Sequence, residues 1–276
     1  VTMKLVNSTY TGSAGRSSLI DLEIPETFNG ELILFVHGFM GFKDWGAWHL
    51  VQQFFTDKNY GFCKFNLSHN GGTIENGIDF PDEEAFGKNC YSFEVADIES
   101  ILNFLLSEVP NLKSIRLIGH SRGGGAVILA GQKYADSFPI SSVHTWAAIS
   151  DIGMRFPSGP ELEGWKNTGV RHVKNGRTHQ DLPQFISLYE DFKRNESELN
   201  IQQAIESLNI PITIHHGDQD TSVPISEGES LASWAHVSLQ IIPNADHVFG
   251  ASHPWTHSKL PKELAILCEQ TLHGMI

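Results

Sequence analysis

Continuous apolar runs alternate with helix-spaced apolar positions along most of the chain. After its first residue the run Glu31 to Val36 is wholly apolar, the pattern of a strand buried on both faces. Two earlier segments, 3–10 and 17–25, read as strands around the turn-rich stretch from Thr11 to Arg16. A helix is expected near Trp45 to Lys58, and a strand from Tyr60 to Leu67. Val95, Ile98, Leu102 and Leu105 recur at helical spacing and predict an amphipathic helix over 94–107. Ser114 to Ile118 then reads as a strand, 123–136 as a helix rich in small residues, and Val143 to Ile149 as a strand.

After residue 150 this rhythm breaks. Residues 151–209 are more polar and contain no convincing buried strand. Lys174 to Arg177, with its Asn-Gly, is a hairpin-type turn signal. Amphipathic helices are expected near 182–194 and 199–208, the second carrying Ile201, Ala204, Ile205 and Leu208. The alternation resumes with a strand over 210–215, a helix near 226–235, a strand over 238–242 and a final helix over 260–273. Strands alternating with helices predict an α/β fold, a mostly parallel sheet of about eight strands covered on both faces. The core comprises 1–150 and 210–276, and 151–209 is an inserted helical cap.

Composition narrows the function. Lys and Arg number 19 against 32 Asp and Glu, a net charge of −13. That argues against nucleic acid, which needs a basic face. Hydrophobic residues make up 40% of the chain, enough for a core without staples. The three cysteines, Cys63, Cys90 and Cys268, have neither zinc-site nor disulfide-framework spacing, although a single Cys63–Cys90 bridge stays open. No apolar run approaches the ~18 residues of a membrane span, and Val1 to Tyr10 has no signal-peptide core. A cytoplasmic protein without a membrane part is expected.

The motif that carries chemistry is Gly119-His120-Ser121-Arg122-Gly123, a G-x-S-x-G. Chance alone supplies roughly 0.2 matches to the bare pattern in a chain of this composition. Its context is specific: it follows the strand 114–118 at once and runs into a helix, the setting of a nucleophile elbow. The sharp turn would lift the serine oxygen above the sheet, and Gly119 and Gly123 would remove Cβ atoms where strand and helix collide. Serine needs a base to act as a nucleophile at neutral pH. In a parallel α/β scaffold the acid and then the His should follow in loops at strand carboxyl ends. The strand 210–215 ends in His216-Gly-Asp-Gln-Asp-Thr-Ser-Val-Pro224, and the strand 238–242 in Asn244-Ala-Asp-His247.

These landmarks, with His37-Gly38-Phe39 after the third strand, resemble the α/β-hydrolase superfamily over almost the whole chain. The layout is most similar to small-molecule carboxylesterases, including cinnamoyl-esterase-like members. Dienelactone-hydrolase-like proteins share the layout, but their usual nucleophile is Cys where this chain has Ser121. The resemblance implies a serine hydrolase of small carboxylic esters, without metal or cofactor. Ser121 would be the nucleophile, His247 the base and Asp220, fourth residue of the G-x-x-D-x-x-V-P pattern, the acid. Asp218 is the competing acid, with a turn role as its other reading, and Asp246 reads as a loop residue. His253 is the competing base. His215, His216 and the pair His253 and His257 fall short of a metal ligand set. The oxyanion would meet the backbone N–H groups of Arg122 and Phe39, with Met40 as fallback.

The side chain of Arg122 would either contact an acidic substrate group or pair with a carboxylate. Asn175, Arg177 and Gln180 either read substrate or form a hairpin tip. Some of the aromatics Trp165, Phe185, Tyr189 and Phe192 are expected to line the pocket. Two other readings stay open: a serine peptidase or amidase on the same scaffold, and a non-catalytic binding protein, which loss of a triad member would have favoured.

Overall fold

The computed structural model describes residues 3–276; Val1 and Thr2, the start of the segment read for a leader, lie outside them. The strands are β1 (Met3–Thr11), β2 (Ser17–Ile24), β3 (Glu31–Val36), β4 (Gly61–Phe65), β5 (Ser114–His120), β6 (Ile140–Trp146), β7 (Val170–Lys174), β8 (Asp181–Phe185), β9 (Ile212–Gly217) and β10 (Leu239–Ile242). The α-helices are α1 (Trp48–Thr56), α2 (Glu83–Lys88), α3 (Tyr91–Glu108), α4 (Arg122–Tyr134), α5 (Gly159–Thr168), α6 (Ser187–Arg194), α7 (Ile201–Glu206), α8 (Ile225–Ala235) and α9 (Lys262–His273). Eight strands form one sheet in the order β1-β2-β4-β3-β5-β6-β9-β10. β1–β2 and β2–β4 pair antiparallel and the remaining neighbours pair parallel. The expected α/β architecture is the observed one.

Side-chain alternation splits the core into two layers. Along β3, Leu32, Leu34 and Val36 face the cluster under α3 and α4, with Ile98, Leu102, Val127 and Ile128. Ile33 and Phe35 face the opposite cluster under α1 and α9, with Val51, Phe55, Leu264 and Leu267. All of these are fully or almost fully buried, and each contributes roughly 1.5–3 kcal/mol by leaving water. The central strands are therefore the rigid part, and their carboxyl ends carry the loops of interest. Cys63, Cys90 and Cys268 are free and buried. No described helix is long and apolar enough to cross a membrane.

Two differences from the sequence reading have physical causes. First, β6 starts and ends three residues earlier than the expected 143–149. Two of its buried positions are polar and bonded within the sheet: Ser142 bonds His144 at 2.8 Å, and His144 bonds Thr213 of β9 at 2.6 Å. The strand stops before Ala147, where φ is +50°. Second, the segment 151–209 is not purely helical. It contains α5, which the periodicity did not indicate and which buries only Trp165, and an antiparallel hairpin, β7–β8. The helix expected over 182–194 is strand to Phe185 and helix only from Ser187. Leu182 and Gln184 are buried at period two, too short a run to outweigh the helical pattern that follows it. α7 packs against α4 and α8, with Ile201 lying over Gly125.

Candidate active site

Three loops at the carboxyl end of the sheet converge on Ser121. The residue sits between β5 and α4 with φ +57° and ψ −121°, a strained conformation for a side chain with a Cβ. Glycines make that turn possible. A Cβ on Gly119 would lie 2.2 Å from the carbonyl oxygen of Gly123, and one on Gly123 would lie 2.4 Å from the carbonyl oxygens of both Val36 and His37. The elbow is thus wedged between β3 and α4, and its backbone is pinned by the Ser121 N–H donating to Trp146 O at 2.9 Å.

His247 and Asp220 come from the loops after β10 and β9. The Ser121 Oγ lies 3.0 Å from His247 Nε2. His247 Nδ1 donates to Asp220 Oδ2 at 2.7 Å. The Asp220 side chain is fully buried, whereas that of His247 is 20% exposed and so is reachable. The second carboxylate oxygen of Asp220 accepts the N–H groups of Ser222 and Val223, both at 2.9 Å. Burial alone would raise the Asp220 pKa. The hydrogen bonds from His216 and His247 and the backbone of Val223 outweigh it and hold the carboxyl well below the usual range, so it is ionised.

His120 and His37 position the site rather than face it. The His120 Nε2 donates to the carbonyl of His247 at 2.8 Å, tying the elbow to the histidine loop. His37 Nε2 accepts the N–H of Leu67 and its Nδ1 donates to Gly38 O, which fixes the loop after β3. Burial pushes His120 down to about 3 and His37 to about 4, so both rings are neutral. The role of His120 was open to the sequence, since it occupies the x of the elbow motif, but its partner is a backbone atom 127 residues away.

The competing residues have other work. Asp218 Oδ1 accepts the N–H of Asn244 at 2.7 Å and so joins the two loops rather than closing its own turn. Asp246 accepts from Val248 and Gly250 within its loop. His253 accepts the N–H of Gly46 through Nδ1 and packs against Phe42 and Trp45. The Arg122 side chain is buried and paired with Glu94, through Nε at 3.0 Å and Nη2 at 2.9 Å.

Arg122 is also the first residue of α4, where a backbone N–H has no partner within the helix. Gly38 packs directly on the elbow: a Cβ there would lie 3.0 Å from Ser121 Cβ and 3.5 Å from Arg122 N. Phe39, the next residue, lines the space above Ser121, as does Met40.

Two cavities meet at Ser121 and share Phe39 and His247. One, of about 240 Å³, is walled by Trp45, Trp48, Asn175 and Arg177. The other, of about 450 Å³, is walled by Tyr91, Arg122, Arg155, Phe156, Arg171, Gln184 and Leu188, among others. Asn175 and Arg177 belong to a hairpin tip, where Asn175 Oδ1 accepts the N–H groups of Arg177 and Thr178. Arg177 pairs with Asp79 at 2.8 Å and Gln180 donates to Phe80 O at 2.9 Å. The expectation that Trp165, Phe185, Tyr189 or Phe192 would line the pocket is corrected. Trp165, Tyr189 and Phe192 pack around Phe156, which is the aromatic of the segment 151–209 that faces the cavity. Phe185 lies on Gly87.

No family model matches the chain. The chain is 25% identical over 183 residues to Methylesterase 2 of Arabidopsis thaliana, a match covering 61% of this chain and 66% of that protein. The chain thus spans just under two thirds of the methylesterase's length. It is 21% identical over 264 residues to a monoacylglycerol lipase of Mycolicibacterium smegmatis, covering 86% and 88% of the two. Among solved structures, Est1E of Butyrivibrio proteoclasticus with ferulic acid bound matches with a TM-score of 0.72 at 18% identity, over 97% of this chain and 98% of that one. With its mostly parallel sheet, its strand order and these neighbours, the chain has the α/β-hydrolase fold and resembles esterases and lipases.

Proposed function

We propose that the protein is a serine hydrolase of small carboxylic esters, with Ser121 as nucleophile, His247 as general base and Asp220 as the acid that orients it. The observation that carries this reading is the continuous relay at the elbow, Ser121 Oγ to His247 Nε2 at 3.0 Å and His247 Nδ1 to Asp220 Oδ2 at 2.7 Å. His247 Nε2 takes the hydroxyl proton as Oγ attacks the ester carbonyl carbon. Asp220, ionised and buried, selects the tautomer with the proton on Nδ1 and stabilises the imidazolium. The carbonyl oxygen gains negative charge and meets the N–H groups of Phe39 and Arg122. The tetrahedral intermediate collapses, the alcohol leaves with the proton from His247, and an acyl-Ser121 ester remains. Water, activated by the same imidazole, releases the acid and restores Ser121. Every proton moves between protein groups, substrate and water, so the cycle calls for no metal or cofactor.

Residues 151–209 act as the cap. The two cavities give the acyl and alcohol arms separate walls, and the insert supplies part of each. The test is hydrolysis of p-nitrophenyl esters of rising acyl length, with amides alongside and EDTA as a control, together with labelling by a fluorophosphonate probe. Ester turnover resistant to EDTA, with the label on Ser121 alone, is the expected outcome. Turnover of amides in preference to esters would move the reading to an amidase, and an unlabelled, inactive chain would sink it.

A further inference from the structure

The larger cavity beside Ser121 is lined by three arginines, Arg122, Arg155 and Arg171, and by no aspartate or glutamate. In a chain of net charge −13 this is a local inversion of sign. Two of the three are neutralised from behind the wall. Glu94, 5% exposed, pairs with Arg122, and Glu227, 8% exposed, pairs with Arg155 Nη2 at 2.7 Å.

Arg171, on β7, is different. Its Nε donates to Gln184 Oε1 at 2.9 Å, and its guanidinium lies 4.2 Å from the centre of the Trp165 ring. Gln184 is buried, and its main-chain carbonyl accepts Trp165 Nε1–H at 2.9 Å. The guanidinium plane is therefore fixed by neutral groups. Among the described residues no carboxylate forms an ion pair with it. Burial pushes its pKa down, against the pull of Glu161 and Tyr91. A half-buried cation held without a counter-ion is costly unless an anion completes it. Phe39, Ile149, Phe156, Leu188 and Val223 give the wall an apolar stretch, beside the polar Gln184, Ser222 and His247.

We propose that this cavity receives an arm of the ester that ends in a carboxylate, with an apolar body along the wall and the anion on Arg171. The assignment rests on the esterase reading only in calling the occupant an arm of the substrate. A planar carboxylate fits the free edge of one guanidinium in a two-point contact, and Arg171 is the only one of the three not already matched to a carboxylate.

Two measurements test it. In the Ser121→Ala background, octanoate and octanamide are titrated calorimetrically. Octanoate is expected to bind at least tenfold tighter, and Arg171→Gln to abolish the difference. In the catalytically intact chain, kcat/KM is compared for mono-p-nitrophenyl suberate against its methyl ester, and for 4-acetoxybenzoate against 4-acetoxybenzamide, one pair for each arm. One pair should favour the acid by roughly ten- to a hundredfold, the usual worth of a charged hydrogen bond. Arg171→Gln should bring that ratio near one. Arg171→Lys, which keeps the charge but loses the planar fork and the stacking, should give an intermediate ratio and shows that the position tolerates change. Equal binding of octanoate and octanamide, or a ratio that Arg171→Gln leaves intact, overturns the proposal. Octanoate bound through Arg171 by a chain that cleaves no ester would sink the esterase reading and leave the anion site standing.

Discussion

The elbow and the segment 151–209, the insert of the proposed reading, are built by different means. At the elbow, backbone meets backbone: Gly119 and Gly123 approach neighbouring main-chain atoms more closely than a Cβ allows, and Gly38 leaves barely room for one. In the insert, contacts run through side chains. The β7–β8 hairpin is held to the core by Arg177 on Asp79, by Gln180 on Phe80 and by Leu182 packing among Phe42, Phe80 and Phe86. The insert's glycines at 164 and 176 have nothing within 4 Å of a built Cβ. The difference separates two jobs. On the proposed reading, the reacting atoms sit where sterics leave one conformation, and the walls that would choose the substrate sit where side chains can be exchanged without disturbing it.

The largest effects should therefore come from the core. Ser121→Ala removes only an oxygen and should leave the melting temperature almost unchanged while kcat falls by about 10⁴–10⁶. Asp220→Asn keeps the shape but offers an amide that favours the wrong imidazole tautomer, with an expected loss of about 10⁴ in kcat and little change in KM. Asp218→Asn should cost far less, because its side-chain oxygen can still accept the Asn244 N–H. A dead Asp218→Asn beside an active Asp220→Asn would reverse the assignment of the acid. If His253→Ala abolished turnover and His247→Ala did not, the base would be misassigned.

Acid should also strike the core first. Burial pushes His37 and His215 down to about 4 and His120 to about 3, and His144 lies lower than its ordinary value for the same reason. The folded state keeps these rings neutral while the unfolded chain takes up protons below about pH 6.5. The unfolded state thus binds more protons, and stability falls as pH drops from about 6.5 towards 4. Each ring contributes roughly 1.4 kcal/mol per pH unit within that window, so three or four together remove about 4–6 kcal/mol per unit, a large share of a usual domain's stability. Asp97, raised by burial, opposes this in part, since the fold holds its proton. His172 and His179 of the insert are exposed. Urea melts at pH 7, 6 and 5 should show a steep decline; equal midpoints at all three would contradict the neutral buried rings.

The same contrast governs glycine substitutions. Gly123→Ala drives a Cβ to 2.4 Å from two main-chain oxygens and should cost more than the usual 1–3 kcal/mol of an overpacked core. Gly164→Ala, in the exposed middle of α5, should instead stabilise by about 1 kcal/mol through helix propensity. Thermal melts of the two variants should move in opposite directions.

How much of this was legible follows the same division. β3 matched its apolar run residue for residue, and α3 and α9 followed their periodicity, because a fully buried sheet writes itself as continuous or helix-spaced hydrophobicity. Ser121, Asp220 and His247 were readable as an ordered motif on three loops, and the structure brings them within hydrogen-bond reach. The insert was legible at the Asn-Gly turn and at α7, which falls within the helix expected near 199–208 and buries Ile201, Ala204 and Ile205; its hairpin strands and α5 were not. Its strands are five residues long with mostly part-exposed positions, and a half-solvated hairpin leaves little pattern. Arg171 gave no signal: its significance lies in the carboxylate it lacks and in the cavity it faces, both properties of the assembled fold. β6 was misplaced because several of its buried positions are polar, Ser142, His144 and Thr145, which hydropathy reads as surface; Ser142 bonds His144, and His144 bonds Thr213 of β9.

The smallest expected effect probes the join between the two regions. Arg177 lies at the hairpin tip, pairs with Asp79 at 2.8 Å and lines the smaller cavity beside Trp45 and Trp48. Both partners are substantially exposed, 29% and 49%, so the pair should be worth under about 1 kcal/mol and be weakened by salt. Arg177→Gln should lower the melting temperature by only a degree or two. It should change esters differently according to the group that enters the smaller cavity: bulky ones should lose or gain a fewfold in KM, and the smallest should not respond. Asp79→Asn frees the same hairpin tip without altering the cavity wall. If it reproduces the KM change, the tip acts by closing over the cavity; if only Arg177→Gln does, the side chain itself touches substrate. Unchanged KM in both variants for every ester would mean that the insert's tip plays no part in choosing the substrate, and the division of labour between elbow and insert would then rest on the larger cavity alone.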